Sequence, residues 1–115
     1  EKFTNTGTFI RKWGSTGSGD GQFNNPSSVA IDSSGNVFVA ETGNDRIQKF
    51  TNTGTFIRKW GSIGSGDGQF DFPEGVDVNS AGNVFVADTA NDRIQEFTNT
   101  GTFIRKWGTS VTFPP

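Results

Sequence analysis

A 47-residue period governs this chain. Trp13-Gly14, Trp60-Gly61 and Trp107-Gly108 each close a copy of Thr-Phe-Ile-Arg-Lys-Trp-Gly, and residues 1–47 match residues 48–94 at 35 of 47 positions. Self-similarity of this kind means that one folding unit has been copied, so the fold is decided by how that unit packs against itself.

Each unit contains four short runs rich in Val, Ile, Phe and Thr, all too brief for helices. In the first complete unit the runs are Val29 to Asp32, Asn36 to Ala40, Arg46 to Phe50 and Thr55 to Trp60. Between them lie Asp32-Ser33-Ser34-Gly35-Asn36 and Thr51-Asn52-Thr53-Gly54, where glycine accepts positive φ and Asp, Asn or Thr bonds its own backbone. Antiparallel hairpins in series are expected. Longer loops, Gly14 to Pro26 and Gly61 to Pro73, join one four-stranded sheet to the next, with Pro26 and Pro73 placed just before a strand.

A sheet of this size has two partly apolar faces and can bury neither alone. Identical sheets stacked face to face solve that problem, and strand twist bends the stack around an axis into a propeller, with a linear stack or sandwich as the plainer alternative. The expected fold is all-β. Residues 1–14 supply the C-terminal half of a blade, 15–61 and 62–108 two complete blades of four antiparallel strands, and 109–115 a tail outside the repeat. About two and a half blades are too few to close a ring, so completion is expected from further sequence or from a homo-oligomer. Open ends would expose apolar faces and strand edges.

Composition narrows the function. There is no Cys and no His, which removes disulfides, thiol chemistry, thiolate metal sites and the usual neutral-pH proton shuttle. Twelve acidic and ten basic residues are interleaved, giving a net charge of -2 and no continuous basic surface for nucleic acid. The Arg-Lys pairs at 11–12, 58–59 and 105–106 are split between opposite strand faces by alternation. No apolar run is long enough to cross a bilayer and no targeting segment is recognisable, which leaves the compartment open between extracellular and cytoplasmic.

Asp67-Gly68-Gln69-Phe70-Asp71-Phe72-Pro73-Glu74-Gly75-Val76-Asp77-Val78, followed by Gly82 to Thr89 and Asn91-Asp92-Arg93-Ile94-Gln95, resembles the NHL repeat. The segment from Asp20 through Gln48 is similar, with Ser28 where that family favours Gly and Glu41 where it favours Asp. The resemblance implies a propeller, often six-bladed, and uses that range over peptide or protein docking, RNA binding, extracellular sensing and a metal-dependent amidating lyase. The lyase chemistry needs histidine ligands and a tyrosine, and the chain has neither. Serines in Gly-rich loops have no His to activate them.

The same resemblance places the long loops and the short loop Glu41 to Asp45 on one face. Asp20, Gln22, Asn25 and Glu41, with Asp67, Gln69, Phe72, Glu74, Asp77 and Asp88, form the candidate binding set. No cofactor and no metal site is expected, since Gly19-Asp20-Gly21-Gln22 lacks the dense oxygen spacing of a calcium loop. Structural roles are assigned to Trp13, Trp60 and Trp107 as packing anchors with locally paired indoles, and to Asp45-Arg46 and Asp92-Arg93 as turn locks in which arginine pairs with Glu41 or Asp88. Phe23, Phe38, Phe50, Phe70, Phe85 and Phe97 read as core between blades. The copies diverge at Asn25/Phe72, Ser27-Ser28/Glu74-Gly75 and Ala30/Asp77, which marks the place for ligand individuality. The favoured function is a non-enzymatic scaffold that binds protein or peptide and assembles. A small-ligand sensor is the rival, followed by an RNA-binding module.

Overall fold

The computed structural model describes residues 2–3, 9–11 and 14–108. Trp13 and the tail 109–115 lie outside the described residues. Twelve strands occur among those described: β1 (Lys2–Phe3), β2 (Phe9–Arg11), β3 (Ser15–Thr16), β4 (Gln22–Phe23), β5 (Pro26–Ile31), β6 (Val37–Glu41), β7 (Arg46–Phe50), β8 (Phe56–Trp60), β9 (Pro73–Val78), β10 (Val84–Asp88), β11 (Arg93–Phe97) and β12 (Phe103–Trp107). Strands β5-β6-β7-β8 and β9-β10-β11-β12 form two antiparallel meanders, here blade 1 and blade 2, and β1-β2 form a separate two-stranded sheet.

The boundaries differ from expectation at the inner strand. It begins at Pro26 or Pro73 itself, paired with Glu41 or Asp88, because proline is tolerated as the first residue of a strand. The long loop also carries order of its own: β3 and β4 pair in parallel, and the second copy keeps this as a single bridge between Ile63 and Phe70. A 3-10 turn, Thr89–Asn91, joins β10 to β11.

Register sorts each blade into two faces. On the front of blade 1 lie the rows Val29–Val39–Gln48–Lys59 and Ile31–Val37–Phe50–Phe56; on the rear lie Ala30–Phe38–Lys49–Arg58 and Ser28–Ala40–Ile47–Trp60. Blade 2 repeats the scheme, with Val76–Val86–Gln95–Lys106 and Val78–Val84–Phe97–Phe103 in front, and Asp77–Phe85–Glu96–Arg105 and Gly75–Ala87–Ile94–Trp107 behind. The rear of blade 1 meets the front of blade 2. Phe38, Ala40 and Ile47 join Phe70, Val76, Val84, Val86 and Phe97 in one buried cluster, edged by Trp60 and Phe103.

Aromatic rings finish this junction. Trp60 touches Phe38 edge-on at 6.3 Å and Phe97 at 5.6 Å, and Phe97 also meets Phe70 and Phe103. Only glycine fits beneath the indole, since a β-carbon on Gly101 would lie 2.7 Å from the Trp60 ring and the residue has a φ of +87°. The Trp60 Nε1 has no hydrogen-bond partner, contrary to the expected local pairing, because the ring is surrounded by phenylalanines and Gly101.

The equivalent side chains behind blade 2 are open. Ile47 is wholly buried but Ile94 is only partly so, and Trp107 is 46% exposed, with its ring edge-on to Phe85. Phe85 accordingly lies at this open face and not in the core cluster, unlike Phe38. Ile47→Val should cost about 1 kcal/mol of unfolding free energy, and Ile94→Val less than about half of that, in urea denaturation of the two variants.

Candidate functional site

At the loop end of each blade the structure buries a carboxylate and an arginine together. Glu41 accepts from Arg46 Nε at 2.7 Å, Asn44 Nδ2 at 2.8 Å, Gln48 Nε2 at 2.8 Å and the Asn24 amide at 3.1 Å. Arg46 spends its remaining donors on the carbonyls of Ser18, Gly19 and Gln22 at 2.7 to 3.0 Å. Blade 2 repeats the knot with a shorter acid: Asp88 takes Arg93 at 2.7 Å and the Asp71 amide at 2.7 Å, while Arg93 reaches the carbonyls of Ser65, Gly66 and Gln69. A buried guanidinium needs a counter-charge and a filled set of acceptors, and the long loop supplies the acceptors as backbone.

Several residues of the candidate binding set therefore have structural surroundings. Glu41 and Asp88 have no exposed surface and face the arginines, so they are not available to a surface ligand. Gln22 and Gln69 fold back to accept the Gly19 and Gly66 amides at 2.9 Å. Asp20 and Asp67 remain at the surface, paired with Lys59 at 2.6 Å and Lys106 at 2.7 Å.

The turn after β6 also works differently from expectation. Asn44 donates its side-chain amide to the Gly17 carbonyl and to Glu41, which ties the turn to the long loop. Asp45, at φ +51°, accepts the Phe72 amide at 2.8 Å and so ties blade 1 to the entry of blade 2. Asp92 occupies the matching left-handed conformation at φ +52°.

Phe72 stands out from its copy. Asn25 and Phe72 both adopt left-handed backbone, at φ +51° and +60°, a region that Asn tolerates and bulky residues rarely enter. Phe72 is also 48% exposed. Glu74 is exposed nearby. Asp77 is not beside it: register puts Asp77 on the open rear face of blade 2, at the position of Ala30 in the buried junction.

A second difference on that face escaped sequence reading although both residues are visible in it. Lys49 of Arg-Ile-Gln-Lys-Phe becomes Glu96 of Arg-Ile-Gln-Glu-Phe. Lys49 crosses the junction to bond the Asn99 side chain and carbonyl and lies 5.3 Å over the Phe38 ring. Burial pushes its pKa down; Asp32 pulls it back up and Arg58 adds to the lowering. Glu96 is held instead by Arg105 at 3.1 Å and Asn83 at 3.0 Å. The serines that diverge have a cross-blade task as well: the Ser28 hydroxyl accepts the Val76 amide, and Ser27 lies within bonding range of the Pro73 and Glu74 carbonyls.

An open depression lined by Asp45, Lys59, Trp60, Gly61 and Ile63 runs along the outer edge of blade 1. Among the described residues no three acidic side chains converge to hold a metal ion, and no helix is long and apolar enough to cross a membrane.

Residues 23–50 and 70–97 each match the family model described as the NHL repeat, each match running from the phenylalanine ahead of the inner strand to the end of the third strand. The chain is an NHL-repeat protein. A search of curated proteins gives no match. Among solved structures, a gluconolactonase from Xanthomonas campestris superposes with a TM-score of 0.56 at 17% identity over 77% of this chain. The NHL chain spans 29% of that protein's length. At this identity the likeness concerns the fold alone, that of β-propeller blades.

The Arg knot of the NHL blade has a measurable consequence. Glu41→Gln keeps the shape and leaves Arg46 without its counter-charge, and should lower unfolding free energy by about 3 kcal/mol in chemical denaturation. Asp20→Asn, at an exposed pair, should change it by less than about 0.5 kcal/mol.

Proposed function

We propose that this NHL chain is a non-catalytic docking scaffold that self-associates through the rear face of blade 2. The supporting observation is the unequal burial of one set of side chains. Phe38, Ala40, Ile47 and Trp60 are covered by a neighbouring blade, whereas Phe85, Ala87, Ile94 and Trp107, the same residues one repeat later, are left partly or largely open. An apolar sheet face bounded by Glu96 and Arg105 offers both contact area and polar register for a second copy. The non-catalytic part of this reading is supported by four loop-end acids, Asp20, Glu41, Asp67 and Asp88, each engaged by an arginine or a lysine.

Phe72 supports a second contact, to protein or peptide, on the loop face. An exposed aromatic held in left-handed backbone costs stability where Asn would not, and strain retained at a surface position motivates a binding role. The open depression beside Asp45 and Lys59 favours, less strongly, the small-ligand reading.

Sedimentation velocity tests the main reading. The wild-type chain should associate with rising concentration, and Ile94→Asp with Trp107→Asp should weaken that association at least about tenfold. Phe72→Asn should leave association unchanged and raise stability by about 1 kcal/mol. Equal sedimentation of the wild type and the Ile94/Trp107 variant would overturn the proposal.

A further inference from the structure

Lys49 is 6% exposed, whereas Lys59 and Lys106 sit at the surface on the carboxylates of Asp20 and Asp67. Its Nζ bonds the side-chain carbonyl of Asn99 and lies 3.3 Å from the main-chain carbonyl of the same residue. Strand β7 and the turn between β11 and β12 thus set an amine against a carboxamide across the junction of the two blades. Phe38 lies beside that amine, with its ring centre at 5.3 Å.

The carboxamide is held from its other side as well. Asn99 Nδ2 donates to the Gly82 carbonyl at 2.8 Å and to Asp32 Oδ2 at 3.3 Å. Asp32 is itself fixed, because its Oδ1 accepts the Ser34 and Asn36 amides at 3.0 and 2.9 Å, which leaves Oδ2 toward Asn99. An amine, a carboxamide and an acid therefore converge from three separate segments. Burial favours the uncharged, nucleophilic form of the Lys49 amine; Asp32 opposes this and Arg58 assists it. The next repeat loses amine and acid together, carrying Glu96 for Lys49 and Asn79 for Asp32.

We propose that Lys49 and Asn99 become joined by an isopeptide bond, with Asp32 carrying the proton. Lys49 Nζ, as the free amine, attacks Asn99 Cγ; the carbonyl electron pair moves onto Oδ1, and Nζ gives a proton to Asp32. Asp32 passes a proton to Nδ2, the carbonyl re-forms, the Cγ–Nδ2 bond breaks and ammonia leaves. In net terms an ammonium and a primary amide become a secondary amide and an ammonium ion, so neither oxidant nor reductant is required. Holding the three groups in contact supplies the proximity that an amine and an unactivated amide lack in water. The bond ties blade 1 to blade 2 across 50 residues of chain and so restricts the unfolded state. It forms within one chain and is independent of self-association.

Intact-mass spectrometry of the whole chain, kept folded in solution for days, tests the bond. The wild type should be lighter than its sequence by one ammonia. A tryptic digest should then contain residues 47–58 joined to residues 94–105 through Lys49 and Asn99. Asp32→Asn, which copies the next repeat, and Lys49→Met should each keep the full sequence mass. Circular dichroism of both variants should match the wild type, which separates lost chemistry from lost folding. Full sequence mass in the wild type would overturn the proposal. So would an ammonia lost from Asn99 as a linear succinimide, with the chain still cleaved by trypsin at Lys49. A bond that forms equally well in Asp32→Asn would overturn the role given to Asp32.

Discussion

Lateral burial between sheets carries this structure. A meander of four five- or six-residue strands has two faces that both bear Val, Ile, Phe or Trp, and neither can be buried within its own sheet. The rear of blade 1 solves this against the front of blade 2, where Phe38, Ile47 and Trp60 close over Val84, Val86 and Phe97. Gly101 lets the indole reach the next blade's turn, and the Ser28 hydroxyl and Lys49 add polar links that fix one blade's height against the other. The buried Arg46 and Arg93 knots serve the same end from a different direction. By gathering the carbonyls of the long loops, they bring Phe23 and Phe70 to the sheet, and Phe70 becomes part of the junction.

The faces without such a neighbour carry the functional interest. Blade 2 presents behind it the residues that blade 1 buries, but with Asp77 for Ala30 and Glu96 for Lys49. Two carboxylates on an apolar face discourage indiscriminate stacking and favour a partner that offers donors in register. Polar links at the existing junction show the alternative chemistry: Asp32 accepts from Ser34, Asn36 and the Asn99 side chain of the next blade. Burial tends to raise its pKa, but these hydrogen bonds outweigh that and hold the carboxyl below its ordinary value. Its contribution is present at neutral pH and fades as acid protonates it.

Much of this architecture was legible because repetition turns one sequence into its own alignment. The four strands per unit, the glycine turns, the pairing of Arg46 with Glu41 and the role of Trp60 against the next blade follow from residue type and period. The start of the inner strand at Pro26 is hidden from sequence, since proline normally argues against a ladder and here occupies its first rung. Face assignment was harder. Asp77 seemed to belong with Phe72 by nearness in sequence, yet alternation along β9 sends it to the blade face, and only the pairing with Phe85 reveals this. Glu41 and Asp88 looked like surface acids because nothing in the sequence shows that loop carbonyls will wrap the arginines beside them. The unpartnered Trp60 indole likewise depends on packing that residue type does not disclose.

A double-mutant cycle between Trp60 and Phe97 addresses the claim on which the rest stands. The two rings lie in different blades with centroids 5.6 Å apart, so Trp60→Leu and Phe97→Leu should be coupled by about 1 kcal/mol in unfolding free energy. Strictly additive effects would mean that the blades do not share this interface, and the lateral-burial account would fail.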